Sequence, residues 1–335
     1  MAVTLVFDDV LGPEKLRESL EGLVKREGLP PSDQPSASAT STTAWQHVVF
    51  DALGMQYVVE NWSAMLWGRE PEIPTPCGLH SDPFNPLAEG TRLVTEPHVL
   101  PDQRVGLGGM LKWGLGYGVD MLVRAKENRM VCVPETCWRP QLGKALAELL
   151  AEALEKGEDV DKVFLTEKDV LVAASIAMSL RKAFEGDPIP TAAEHPYVGN
   201  AFGWANVLVR AGDVASKPLS WLAPQVRRAI NEQGTRAQHE AYYAMVRESG
   251  MGLPIVIFGD GGMAQAGFSH WSKAGLFDLN FAPARKNVHV SRDVPFRLSY
   301  VQENHGPVKP VYGFFVFGKD ARGNYRTSAY KLKGQ

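Results

Sequence analysis

A histidine followed four residues later by an aspartate, His47-Val-Val-Phe-Asp51, is the best starting point for chemistry in this sequence. Histidine changes charge near neutral pH, so its ring can take a proton from a hydroxyl and return it to a leaving group. The carboxylate would serve such a base by fixing the loop that carries it, since a base depends on geometry more than on a second charge. The pattern is short, and a chain with eight histidines can meet it by chance. Read blandly, it is a polar strand end.

Other candidate chemistry is thinner. Ser179-Leu-Arg-Lys182 matches Ser-x-x-Lys, but no Ser-Asp-Asn or Lys-Thr-Gly accompanies it. No Gly-x-Ser-x-Gly elbow and no Walker loop occurs, and FGDGGM at 258–263 reads as a tight turn. His270 beside Trp271 would either line a channel or pack within a strand. His239 is expected on a helix surface. Cys77, Cys132 and Cys137 have no zinc-ligand spacing and cannot form a disulfide framework, so three reduced thiols are expected. No cluster has metal-ligand spacing.

The elements that must position His47 and Asp51 follow from hydrophobic pattern. Ala44 to Phe50 is apolar and β-branched, a strand that would end near His47. Phe50 to Trp67 turns helical, with Leu53, Tyr57, Trp62, Met65 and Leu66 on one broad face. Upstream, VTLVF reads as a strand and GPEKLRESLEGLVKREG as a helix. SDQPSASATSTT, 32–43, reads as an exposed loop with little to bury. Five prolines in EPEIPTPCGLHSDPFNPL predict an irregular crossing between domains. Val105 to Val123, with six glycines, predicts a buried or groove-lining helix. A strand at Arg129–Pro134 and a helix at Leu142–Leu154 come next. TEKDVLVAASIAMSL predicts another helix, opened by Thr166 and Asp169. Strands are expected at Val207–Val209, Pro254–Phe258, Phe277–Phe281 and Tyr312–Phe317, with one long amphipathic helix over Pro218–Arg247. Alternating elements make the class α/β.

Length and charge bound the rest. A chain of 335 residues, 44% hydrophobic and 22% charged, is globular, with one large α/β unit or two domains. A net charge of −3 without basic clusters excludes a nucleic-acid backbone binder. No basic stretch precedes the apolar Met1–Val6, and no eighteen-residue uncharged apolar window occurs. A cytoplasmic location without an integral membrane segment is therefore expected.

Four blocks in order carry a resemblance. HVVFDALGM running into QYVVENWSAMLWGREPEIP, then SLRK at 179–182, then IPTAAEHPYVGNAFGW, then FSHWSKAGLFDLNF are similar to the signature segments of the BAHD acyltransferases. The likeness is to the fungal, trichothecene 3-O-acetyltransferase-like branch that acetylates secondary-metabolite alcohols. GKDARGNY resembles that branch's closing strand pair. The resemblance implies a two-domain chloramphenicol acetyltransferase-like α/β fold with a central channel. The expected division is 1–95, a shortened N-terminal domain carrying His-x-x-x-Asp, and 96–335, a C-terminal domain. It implies His47 as general base, and Asp51 as a structural aspartate paired with Arg181. Asn200, Ser269, His270 and Trp271 are the substrate or channel candidates. The family implies acyl-CoA, acetyl-CoA above all, as co-substrate, a small alcohol as acceptor, no resident cofactor or metal, and a monomer.

Two departures stand out. Asn280-Phe281 replaces the family's Asp-Phe, with Asp278 as a possible substitute, and Ala282-Pro283-Ala284 replaces Gly-Trp-Gly. His47 also lies nearer the start than the family pattern has it, so a trimmed domain with a channel open on one side is expected. The reading is an acyl-CoA-dependent O-acyltransferase. Its rivals are a repurposed relative that binds a metabolite without transfer, and a condensation-domain relative. Gln46 stands where the latter carries a second histidine.

Overall fold

The computed structural model describes residues 2–27, 40–44, 50–78, 83–90, 93–157, 175–191, 195–249, 256–263, 265–286, 289–305 and 311–334. The chain opens with β1 (Ala2–Val6), whose Val3 and Leu5 are buried on one face. Next comes α1 (Pro13–Glu27), which turns Leu16, Leu20 and Leu23 inward. Pro13 suits its first position, where a backbone N–H would have no helical partner. Then β2 (Thr40–Ala44) runs antiparallel to β1, Ala2 opposite Ala44 and Val6 opposite Thr40. The expected loop therefore ends earlier than Thr43. Threonine is β-branched and suits a pleated backbone once a neighbouring strand offers its hydrogen bonds. Residues 32–39, and His47 within 45–49, lie outside the described residues.

After α2 (Ala52–Leu66), the proline-rich crossing holds a 3₁₀ turn at Glu70–Glu72 and the short α3 (Asn85–Glu89). Next come α4 (Leu107–Leu122), β3 (Lys126–Val133) and α5 (Glu135–Lys156). The apolar stretch is helical as expected, but it is not buried. Met110 is its one fully buried residue, while Leu107, Leu111, Leu115 and Leu122 face outward.

The segment expected as one helix from Thr166 is corrected at its end. Residues 166–174 lie outside the described residues, and Ser175–Ser179 is a strand, β4. A run of small apolar residues carries no period that separates buried strand from helix. Parallel pairing with a neighbouring strand decides it. Then β5 (Phe202–Asn206) ends before the expected Val207–Val209. After α6 (Ala211–Ser216), the long amphipathic helix is broken into α7 (Leu219–Gln233) and α8 (Arg236–Glu248). Gly234 ends the first, and the Thr235 hydroxyl caps the second at Gln238 N, 3.3 Å. Ser, Thr, Asn and Asp favour this position. Of the strand expected at Pro254–Phe258, residues 254–255 lie outside the described residues, and Phe258 forms only an isolated bridge with Arg104.

The last strands are β6 (Gly267–His270), β7 (Tyr300–Asn304), β8 (Gly313–Lys319) and β9 (Tyr325–Leu332). Phe277–Phe281, expected as a strand, lies instead around 3₁₀ turns at Leu276–Asp278 and Ala282–Ala284.

Two sheets result. One has the order β2-β1-β7, all antiparallel. The other is six-stranded, β3-β9-β8-β6-β4-β5, with β4, β6 and β8 mutually parallel and the outer pairs antiparallel. The largest core joins β1, α1 and α2 to residues 271–284, Phe296, Leu298, Val301 and Phe317. The first and last parts of the chain therefore pack as one body around Trp62 and Phe281, whose rings meet edge to face at 5.4 Å.

Candidate active site

Asp51 is the N-cap of α2. Its Oδ1 accepts from Leu53 N at 3.1 Å and Gly54 N at 2.9 Å, so the carboxylate closes the open end of the helix. Its Oδ2 accepts from Ala201 N at 2.9 Å. Both oxygens also face Arg181. Nη1 donates to Oδ2 at 2.7 Å and Nη2 to Oδ1 at 2.8 Å, the parallel two-bond pairing of guanidinium and carboxylate. The Asp51 side chain is 8% exposed and that of Arg181 is 19%.

Arg181 does more than neutralise Asp51. Its Nε donates to Tyr197 O at 3.0 Å and Nη2 to Gly199 O at 2.8 Å, and its plane lies over the Tyr197 ring. The Tyr-Val-Gly-Asn-Ala segment, 197–201, is thus tied down at three backbone groups by two side chains. Arg181 follows β4 by two residues, so the six-stranded sheet delivers the guanidinium. The helix α2 delivers the carboxylate.

The glycines of this region are there for space. A Cβ on Gly54 would stand 2.0 Å from Val198 O. One on Gly199 would stand 2.5 Å from the Tyr197 hydroxyl, and one on Gly78, at φ +85°, would enter the Tyr197 ring. The spacing Asp-Ala-x-Gly therefore reflects close contact between the first turn of α2 and the 197–201 loop. Cys77 N donates to Pro196 O and Val198 N to Cys77 O, which continues the seam. Burial pushes the Cys77 thiol up, with Arg181 pulling the other way, so this sulfur is a poor nucleophile at neutral pH.

The remaining candidates do not converge. Asn200 is half-buried between Gly199 and Ala201, the partners of Arg181 and Asp51. Ser269 and His270 alternate on β6 and so face opposite sides of the sheet. Trp271 is 2% exposed, packs against Phe315 and Phe317, and gives its indole N–H to Ser269 Oγ at 2.8 Å. It is a core residue. His270 lies 2.7 Å from the Ser272 hydroxyl and points toward Tyr325.

The altered second signature is intact as structure. Asn280 Oδ1 accepts from Ala282 N at 3.1 Å and Phe296 N at 2.9 Å, as a carboxylate would. Its backbone O accepts from Ser63 Oγ and Trp67 Nε1, both at 2.9 Å. Asp278 is exposed and plays no part in that anchoring. The loop needed an acceptor, and an amide oxygen supplies it without a charge.

Two buried polar clusters escaped the sequence reading. Glu303 on β7 is fully buried. It accepts from Tyr330 Oη at 3.0 Å and Ser328 Oγ at 3.1 Å, and it pairs with the His305 ring. This joins the small sheet to β9. Its signal was period two: Val301 and Glu303 share the inward face of β7. His239, expected at the surface, is 4% exposed on α8. Burial, with His98 as a second cause, lowers its pKa to about 4. Its ring lies against Phe184 and the Gly203 backbone of β5, which turn that face of α8 from solvent. Among the described residues, no group of His, Cys, Asp or Glu is arranged to hold a metal, and no helix is long and apolar enough to cross a membrane.

No protein-family model matches the chain. Curated relatives do. Acetyltransferase adrJ of Penicillium rubens is 28% identical over 327 residues, covering 87% of this chain and 63% of its own length. O-acyltransferase ausP of Aspergillus calidoustus is 28% identical over 292 residues, 82% of this chain and 57% of its own. A protein named transcriptional regulator calD, of Penicillium decumbens, is 29% identical over 83% of this chain and 60% of its own. The chain thus spans about 60% of the length of these relatives. Among solved structures, F. sporotrichioides TRI101 with coenzyme A and T-2 superposes with TM-score 0.54 at 14% identity, over 99% of this chain and 91% of that one. Vinorine synthase gives 0.53 at 12% identity, over 99% and 86%. These likenesses establish the chloramphenicol acetyltransferase-like α/β fold. In sequence the chain is similar, along most of its length, to fungal proteins named acetyltransferases and O-acyltransferases.

Proposed function

We propose that the chain is an acyl-CoA-dependent O-acyltransferase, with acetyl-CoA as donor and a hydroxyl of a fungal specialised metabolite as acceptor. The observation that supports it best is the two-bond pairing of Asp51 and Arg181 at the start of α2. That lock sits four residues after His47 in sequence and consumes both carboxylate oxygens. This supports Asp51 as a positioning residue, and the resemblance gives His47 the role of base.

In this reading His47 takes the acceptor's hydroxyl proton as the oxygen attacks the thioester carbonyl. A tetrahedral intermediate forms, the C–S bond breaks, and the proton passes to the departing CoA sulfur. The oxyanion role is assigned to Asn200, which lies at the centre of the loop that Asp51 and Arg181 hold. The engaged indole N–H of Trp271 argues against that residue in the role.

The test is a mass-spectrometric assay of the purified chain with acetyl-CoA and a panel of pathway alcohols. Free CoA and acylated product are measured in the same reaction. His47→Ala should lose ~10²–10⁴-fold of transfer while still binding CoA. A variant that transfers at the native rate refutes the assignment.

A second reading is a relative that binds a metabolite without transfer. The 29% identity to a relative named transcriptional regulator calD favours it. Acceptor binding without product, in the native chain, would establish it. CoA release in excess of product would instead show a working site that admits water.

A further inference from the structure

The segment 96–105 carries only a 3₁₀ turn at Pro101–Gln103, yet both of its ends are tied down. At one end the buried Gln238 of α8 grips it with a single side-chain amide. Its Oε1 accepts from Val99 N at 2.8 Å, and its Nε2 donates to Pro97 O at 2.9 Å and Glu96 Oε1 at 2.8 Å. At the other end Val105 N donates to Ile257 O at 2.9 Å, and Gly259 N to Gln103 O at 2.8 Å. Between these ends His98 points inward. It is 6% exposed, while Val99 beside it is 43% exposed. The imidazole lies flat on the Phe258 ring, with centroids 5.0 Å apart and planes at 13°, and the Tyr242 ring stands at 6.3 Å. Its Nδ1 accepts from Leu100 N at 3.1 Å, so that nitrogen carries no hydrogen and the ring is seated in its neutral form.

Protonation undoes this seat in two ways. Nδ1 gains a hydrogen and then faces the Leu100 N–H, donor against donor. A charge also enters a buried aromatic pocket, and burial already lowers the pKa of His98. The surrounding groups give no relief. Tyr242 accepts from Val256 N at 3.3 Å, and burial pushes its hydroxyl up, so it stays neutral. Glu96 is engaged by Gln238. On α8, Arg236 is paired with Glu240 and with Asp187. His239, beside Gln238, is near enough to His98 that a charge on one disfavours a charge on the other. Among the described residues His305 has a carboxylate partner, whereas His98 and His239 have none.

We propose that 96–105 is an acid-sensitive strap, shut at neutral pH by the neutral His98 seated between α8 and Phe258, and released when that imidazole takes up a proton. The strap and the Asp51–Arg181 lock share α8 as a support. His239 lies against Phe184, and Arg181 stands three residues before Phe184 in the chain. The proposal does not depend on acyl transfer.

Amide hydrogen exchange on the purified full chain, resolved to single residues and corrected for the intrinsic effect of pH on exchange, tests it. The Val99 and Leu100 amides should exchange about tenfold faster or more at pH 5 than at pH 7, because a proton bound only in the open form changes the opening constant by up to about tenfold per pH unit. The amides of β9 should stay better protected than the strap at both pH values, as local opening requires. His98→Phe keeps a flat ring on Phe258 but cannot be protonated, so it should remove the acid response. Gln238→Ala removes three bonds and no titrating group, so it should speed exchange at both pH values and leave the acid response in place. Strap protection that is the same at pH 5 and pH 7 overturns the proposal. So does a strap that is protected as strongly as β9 at pH 5, since it would then open only with the whole chain. An acid response that survives His98→Phe, in a variant with native circular dichroism, equally overturns it. The first two results are read on the native chain and need no variant to fold.

Discussion

Replacing Asp51 with alanine removes five hydrogen bonds at once. Two are helix-cap bonds from Leu53 N and Gly54 N, one comes from Ala201 N, and two come from Arg181. Losing a helix N-cap costs about 0.5–2 kcal/mol. Removing one partner of a buried ion pair costs about 3–5 kcal/mol, because the other charge is left unpaired. Arg181 is 19% exposed and retains the Tyr197 and Gly199 carbonyls, so the lower end of that range applies. The expected loss is about 3–4 kcal/mol, with transfer activity falling alongside it. Asp51→Asn keeps an oxygen for the cap and should lose less. The decisive assay is a double-mutant cycle in urea with Arg181→Ala. Residues in one network show coupling of about 0.5–3 kcal/mol, and a pair this close should reach the upper part of that range. Losses that add to within about 0.5 kcal/mol would show that the two side chains act independently, and the account of the lock would fail.

Three further outcomes follow from the same geometry. Gly54→Ala places a methyl 2.0 Å from a backbone oxygen that cannot move away cheaply, so a loss of about 1–3 kcal/mol is expected by urea denaturation, and an unchanged midpoint would contradict it. His239 is held neutral, with its pKa lowered from 6.5 to about 4. The unfolded chain therefore binds the proton more readily, and stability present above pH 6.5 is lost as pH falls toward 4, by up to about 3 kcal/mol. His239→Gln should flatten that acid limb, and an unaltered pH profile would refute the assignment. Tyr330→Phe removes a hydroxyl that serves buried Glu303 and should cost about 1–3 kcal/mol in thermal or urea unfolding.

Much of the local structure is written in the sequence. Leu16, Leu20 and Leu23 at helical spacing, and the apolar face of Tyr57, Trp62 and Leu66, suffice for α1 and α2, because a 3.6-residue period leaves a helix one way to bury them. The His-x-x-x-Asp-Ala-x-Gly spacing marks the site, and its Asp51–Arg181 pairing is implied by resemblance. Why Gly54 and Gly199 must be glycine is invisible there, since the atoms they avoid belong to segments far along the chain. Ser175–Ser179 and Thr40–Ala44 carry no period of their own, and neighbouring strands make them β4 and β2. His239 and Glu303 are polar residues whose burial depends on which helix or sheet comes to rest against them. The exposed face of α4 is the converse case: its residues ask for burial, and the described residues leave them uncovered. Local propensity and period act within a few residues, whereas burial and charge pairing are set by contacts between segments, which exist only once the chain has folded.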